Sequence, residues 1–118
     1  MKIVNAKITS TKLAMGEHGC LTFYLFVEGG GWSCGIGGYC IGHGYLGCKE
    51  KDFDATDKGL VAMMRIMDVV GVETWEDLPD KYVRVEIGSW GDTITKIGNL
   101  IDEKWFDIRE FFSHTEHS

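Results

Sequence analysis

Leu21-Thr22-Phe23-Tyr24-Leu25-Phe26-Val27, closed by Gly29-Gly30-Gly31 and continued by Trp32-Ser33-Cys34-Gly35-Ile36-Gly37-Gly38-Tyr39-Cys40-Ile41, sets the architecture of this chain. In the first run Leu21, Phe23, Leu25 and Val27 alternate with Thr22, Tyr24 and Phe26. Alternation of this kind is a strand pattern, and both faces are apolar enough for the middle of a sheet. Three glycines then turn the chain. The second run predicts a strand over 32–41, with Trp32, Cys34, Ile36 and Cys40 on one face and Gly35, Gly37 and Tyr39 on the other. Glycine inside a strand weakens the ladder and marks a bulge, a bend or the close approach of another group.

Upstream, residues 2–13 read as a strand with Val4, Ala6 and Ile8 on one face, followed by a turn at Gly16-Glu17-His18-Gly19. Downstream, 42–55 is glycine-rich and then charged, the composition of a loop. Thr56 is placed to cap a helix that runs to Val70, with Asp57 near its positive end and Gly71 as a left-handed cap. Leu60, Met63, Met64 and Met67 fall at i, i+3, i+4 and i+7, which predicts a stripe lying on the sheet. Thr74-Trp75-Glu76-Asp77 reads as a short capped turn, closed by Leu78-Pro79-Asp80. Strands follow over 82–87, with Val83, Val85 and Ile87 inward, and over 93–97, joined by a hairpin at 88–92. Beyond Asp102, the spacing of Trp105, Ile108 and Phe112 predicts a short terminal helix. The expected class is α+β: a mostly antiparallel five-stranded sheet with one main helix packed on it and a short C-terminal helix. Residues 1–112 form a single domain in this reading, and 113–118 a flexible C-terminal tail.

Composition narrows the function classes. The 118 residues are 44% hydrophobic and 12% aromatic, a globular balance. The net charge of -6 argues against binding a nucleic-acid backbone, which needs clustered Lys and Arg to displace counterions. No run approaches the roughly 20 apolar residues of a membrane span. Met1-Lys2-Ile3-Val4-Asn5 has no apolar core of the signal-peptide kind, so a cytoplasmic chain with free thiols is expected.

The chemistry-bearing motifs are weak. Gly42-His43-Gly44-Tyr45-Leu46-Gly47 has GxGxxG spacing, yet a dinucleotide site needs a helix opening inside the motif, and the following residues read as loop. Cys34, Cys40, His43 and Cys48 have zinc-knuckle gaps. Tetrahedral zinc requires all four side chains to converge, and Cys34 and Cys40 are about 20 Å apart along an extended strand. Free cysteine also serves as a small buried hydrophobe. Glu17 beside His18 would make an acid–base pair only if a turn turned both inward. The acids at 50–57 and 73–80 are interrupted and read as solvated surface. No nucleophile, base and orienting acid share a recognisable pattern. The expectation is therefore a binding protein, not an enzyme, with no cofactor. An unrecognised enzymatic or zinc site spread over loops is the alternative.

Aromatic and arginine placement gives the candidate binding residues. Trp32, Tyr39, Tyr45 and Trp90 lie on or beside glycine-rich turns, where large rings are not required by a core. Arg84 and Arg109 are two of only three arginines. Trp, Tyr and Arg dominate protein interfaces and stacking pockets. The simpler reading is that Trp32 and Trp90 cap the edge of the core.

A resemblance is carried by Glu17-His18-Gly19, Gly37-Gly38-Tyr39, Val69-Val70-Gly71-Val72 and Trp75-Glu76-Asp77-Leu78. Tyr82-Val83-Arg84-Val85, Ile97-Gly98-Asn99 and Lys104-Trp105-Phe106 extend it over nearly the whole chain. It resembles a group of small phage and prophage proteins of unassigned function. The chain departs from that group in its extra cysteines and in the Cys40–Cys48 loop. The resemblance implies an accessory protein of a mobile element in a bacterial host cell. Small acidic phage proteins of this size are similar to counter-defence proteins such as CRISPR inhibitors and sponges for nucleotide immune signals. The expected partner is accordingly a host defence protein, with a nucleotide signal as the alternative. The free edges of the sheet also leave room for self-association.

Overall fold

In the structure, a computed structural model that describes residues 2–16, 19–44, 47, 49, 52–88 and 94–113, the doubly apolar run becomes β2 (Cys20–Gly29), held between β1 (Lys2–Met15) and β3 (Trp32–His43). Beyond β3 lies β4 (Asp54–Ala55). Past β1 come β5 (Tyr82–Ile87), β6 (Ile94–Asn99) and β7 (Trp105–Asp107). The sheet order is β4-β3-β2-β1-β5-β6-β7, and its neighbours are antiparallel. The sheet curls into a half-barrel. β1 is the strand that links its two halves, since Lys2–Lys7 pairs with β5 and Lys7–Met15 with β2. Its register shifts between Ile8 and Ser10, and the Thr9 hydroxyl there donates to the Phe26 carbonyl at 3.0 Å.

The expected five-stranded sheet is thus corrected to seven strands. β4 is two residues long and polar, too short for any alternation to declare it, and is recruited by pairing with Gly42 and His43. β7 occupies the start of the predicted terminal helix. Trp105, Phe106 and Asp107 pair with Gly98, Ile97 and Lys96 before α2 (Ile108–Ser113) begins. The helical spacing was real only from Ile108 onward.

α1 (Asp57–Val70) starts and ends as its sequence predicts. Thr56 accepts a hydrogen bond from the Gly59 amide at 3.2 Å, and Gly71 adopts φ 93° while its N–H reaches the Met67 carbonyl at 2.8 Å. The buried face needs correcting, however. Gly59, Ala62, Ile66 and Val69 are buried, whereas Leu60 and Met64 are 61% and 65% exposed. The helix approaches β3 so closely that a Cβ on Gly59 would sit 2.3 Å from that of Ile41. Gly59 and Ala62 therefore face the sheet together with Ile66 and Val69, and the period was right with the phase rotated.

β3 carries two bulges. Tyr24 pairs with Gly37 but Thr22 pairs with Cys40, and Leu21 then pairs with Gly42. Gly37 and Gly38 have φ 117° and 86°, a region that L side chains avoid. A Cβ on Gly37 would also fall 2.3 Å from the Phe23 carbonyl oxygen. Each extra residue reverses the faces beyond it. Tyr39 consequently turns into the core and stacks on Phe112 at 4.1 Å, while Cys40 leaves the face it was expected to share with Cys34.

The core lies on one side of the sheet. Ile8, Phe23, Leu25, Val27, Ile36, Val83, Val85 and Ile97 meet Ala62, Ile66, Val69, Leu78, Phe106, Ile108 and Phe112 there. Both helices pack on this side.

Candidate functional site

The opposite face of the sheet is left without a helix among the described residues. Its surface follows from the pleat. With Phe23, Leu25 and Val27 turned to the core, Thr22, Tyr24, Phe26 and Glu28 point outward, and the register adds Lys7 and Tyr82 beside Glu28. Tyr24 and Phe26 are stacked with centroids 5.6 Å apart. Their rings lean over the glycines of β3. A Cβ on Gly35 would lie 3.4 Å from the Phe26 ring, and one on Gly38 would lie 2.9 Å from the Tyr24 hydroxyl. The glycine-rich strand is thus the bed for the aromatic pair of its neighbour. Ile3, Phe26 and Tyr82 stay 56%, 37% and 57% exposed.

Arg84 and Trp105 close the far end of this face. Arg84 donates to the carbonyls of Asn99 at 2.7 Å and Asp102 at 2.8 Å and to Glu103 at 3.0 Å. Its guanidinium also lies 4.7 Å from the centre of the Trp105 ring. The carboxyl of Glu103 is held below its ordinary range, first by the hydrogen bond from Arg84, next by that from Trp105, and then by the Arg84 charge.

At the other end, three donor side chains converge. Cys20 is directly opposite His43, and the bulge at Ile41 brings Cys40 onto the same face. The two sulfurs and a ring nitrogen all lie within 4.8 Å of one another. Cys40 Sγ is 3.5 Å from His43 Nε2 and 3.3 Å from the Gly42 carbonyl oxygen. The Cys20 thiol is pushed up, chiefly by its hydrogen bond with Cys40, then by burial and by the Cys40 charge. Two thiols and an imidazole form a donor set suited to zinc-like cations.

The candidate residues from the sequence are dispersed. Trp32 is half-buried against the core and folds back over Gly29. Tyr39 is taken by its stack on Phe112, and its hydroxyl pKa is raised by burial against a lowering influence from Arg109. Arg84 is engaged as described above. Arg109 is exposed at the start of α2, beside a shallow groove that Glu86, Lys96, Asp107 and Glu110 also line. Tyr45 and Trp90 lie outside the described residues, as do Cys48 and the Glu17–His18 pair. In the GxGxxG segment β3 runs on to His43, and the first α-helix among the described residues opens at Asp57.

Cys20, Tyr24, Phe26 and Tyr82 were not among the candidate site residues expected from the sequence. The signal for Cys20 was present, since counting back from the Gly30–Gly31 turn sets it opposite the Cys40–His43 segment. Among the described residues, no helix is long and apolar enough to cross a membrane. Compared with known protein families, curated proteins and solved structures, the chain matches none.

Proposed function

We propose that this chain is a non-enzymatic binding protein that docks a protein partner through the open face of its sheet. By the resemblance to phage and prophage proteins, that partner belongs to a defence system of the bacterial host. The observation that carries the docking reading is the exposure of Phe26, stacked on Tyr24, and of Tyr82 on the face that no helix covers among the described residues. Rigid aromatic rings bounded by charged side chains have the composition of an interface centre and rim. Here the bounding groups are Lys7 and Glu28.

The nucleotide-signal alternative needs a stacking ring and a free cation together. Of the residues that would serve it, Tyr39 is already stacked on Phe112, Trp32 folds back over Gly29, and Arg84 is occupied by Asn99, Asp102, Glu103 and Trp105. Arg109 is exposed, but Glu86, Asp107 and Glu110 line the same groove and oppose a phosphate there. Those engagements favour the protein partner.

The test is copurification from a bacterial host that expresses a tagged chain, followed by identification of any stoichiometric partner. Phe26→Asp combined with Tyr82→Asp should abolish capture while far-UV circular dichroism stays unchanged. Retention of the same partner by the folded double variant would rule this face out.

A further inference from the structure

We infer that Cys20, Cys40 and His43 form a site for one zinc-class divalent cation at the end of the open sheet face. Around tetrahedral zinc, with sulfur at about 2.3 Å and nitrogen at about 2.0–2.1 Å, adjacent S and N ligands lie about 3.6 Å apart and two sulfurs about 3.8 Å. Cys40 Sγ and His43 Nε2 are 3.5 Å apart, and all three donor atoms fall within 4.8 Å of one another. Side-chain rotation on the scale of an ångström closes the set.

The backbone is built to bring these donors together. In a regular strand Cys40 and His43, three positions apart, would point to opposite faces with about 10 Å between them. The bulge at Ile41 places both on one face, and the earlier bulge at Gly37–Gly38 selects which face that is. Cys20 completes the set from β2 as the cross-strand partner of His43. Cys34 is turned to the other face, opposite Val27, and takes no part.

The chemistry also fits. Thiolate and imidazole are the donors that zinc prefers. Cys40 and His43 are exposed and Cys20 is half-exposed, so a cation has a path in and the thiol protons a path out to solvent. When protonated, Cys40 donates to the Gly42 carbonyl, a contact that is surrendered when the sulfur turns to a metal. Three donors leave a fourth tetrahedral position to a donor other than these residues. A bound ion would pin the end of β2 to the bulged end of β3. This site is independent of the docking surface proposed above.

The experiment titrates the full chain, kept reduced with a phosphine, with Co2+ as a coloured surrogate for Zn2+. One Co2+ per chain should bind with a thiolate-to-cobalt charge-transfer band, and Zn2+ should bleach it. Cys20→Ser, Cys40→Ser and His43→Asn should each weaken binding by roughly tenfold or more. Cys34→Ser should leave it unchanged. Absence of the band in the parent chain, undiminished affinity in any of the three ligand variants, or weakened binding in Cys34→Ser overturns the site. A second measurement needs no variant: Zn2+ should slow the reaction of two of the four thiols with an aromatic disulfide reagent. Equal rates with and without Zn2+ overturn the proposal.

Discussion

A Cβ built on Gly98 would lie 2.6 Å from Cε3 of Trp105, so the indole of β7 rests against bare backbone in β6. Arg84 then packs on the same ring and ties it to Asn99, Asp102 and Glu103. Gly98→Ala must displace the indole, and the cation–π contact goes with it. A loss of about 1–3 kcal/mol is expected, read as a lower urea midpoint. An unchanged midpoint would mean that the ring has room to move aside.

Asn99 joins three segments with one side chain. Its Nδ2 donates to the Val69 carbonyl at 2.8 Å, near the end of α1, and its Oδ1 accepts from the amides of Ile101 and Asp102 at 2.9 Å each. Asn99→Ala should cost about 2–3 kcal/mol, from three hydrogen bonds of about 1 kcal/mol each. Asn99→Asp keeps the acceptor for the loop amides but sets a second acceptor against the Val69 carbonyl, so its unfolding midpoint should also fall below the parent's. A midpoint equal to the parent's would remove the bond to Val69 from the account.

Glu103 provides a pH-dependent contribution whose sign follows from its environment. Arg84 and Trp105 favour the ionised carboxyl in the folded state, which lowers its pKa below the ordinary 4.5. The stabilisation is therefore present above the ordinary value and lost as pH falls through the depressed one. The side chain is 79% exposed, so the effect is small and weakened by salt. Glu103→Gln should lower the urea midpoint at pH 7, and the gap from the parent should be narrower at pH 3. A gap of equal size at both pH values would show that the charge of Glu103 plays no part.

Gly59→Ala inverts the usual helix rule. In an exposed helix this change stabilises by about 1 kcal/mol. Here the added carbon would sit 2.3 Å from Cβ of Ile41, so the expected result is a net loss of about 1–3 kcal/mol. Thermal unfolding of this single variant decides the sign.

Local signals in the sequence were enough for the helix and the central strands. Thr56 and Gly71 announced the ends of α1, and alternation in 21–27 placed β2 inside the sheet. What escaped was everything decided by contacts distant in sequence. A two-residue β4 has no pattern of its own, and β7 was disguised by a spacing that belongs to α2. The rotated face of α1 follows from how near Gly59 comes to Ile41. Glycine in β3 was read correctly as a mark of bulges or close approach, but their positions depend on Phe23 and Tyr24 across the ladder. Without those positions, Cys40 stays on the wrong face and Cys20 has no reason to join it. Tyr24 and Phe26 on the open face looked like core for the same reason: alternation cannot say which face a helix will cover.

The most direct test of the docking face is photo-crosslinking inside the bacterial host. A photoreactive phenylalanine analogue is placed at Phe26 on the open sheet face or at Met64 on the exposed side of α1. The account predicts a discrete crosslinked protein from position 26 and none from position 64. A crosslink from position 64 alone would contradict it and move the interface to the helix.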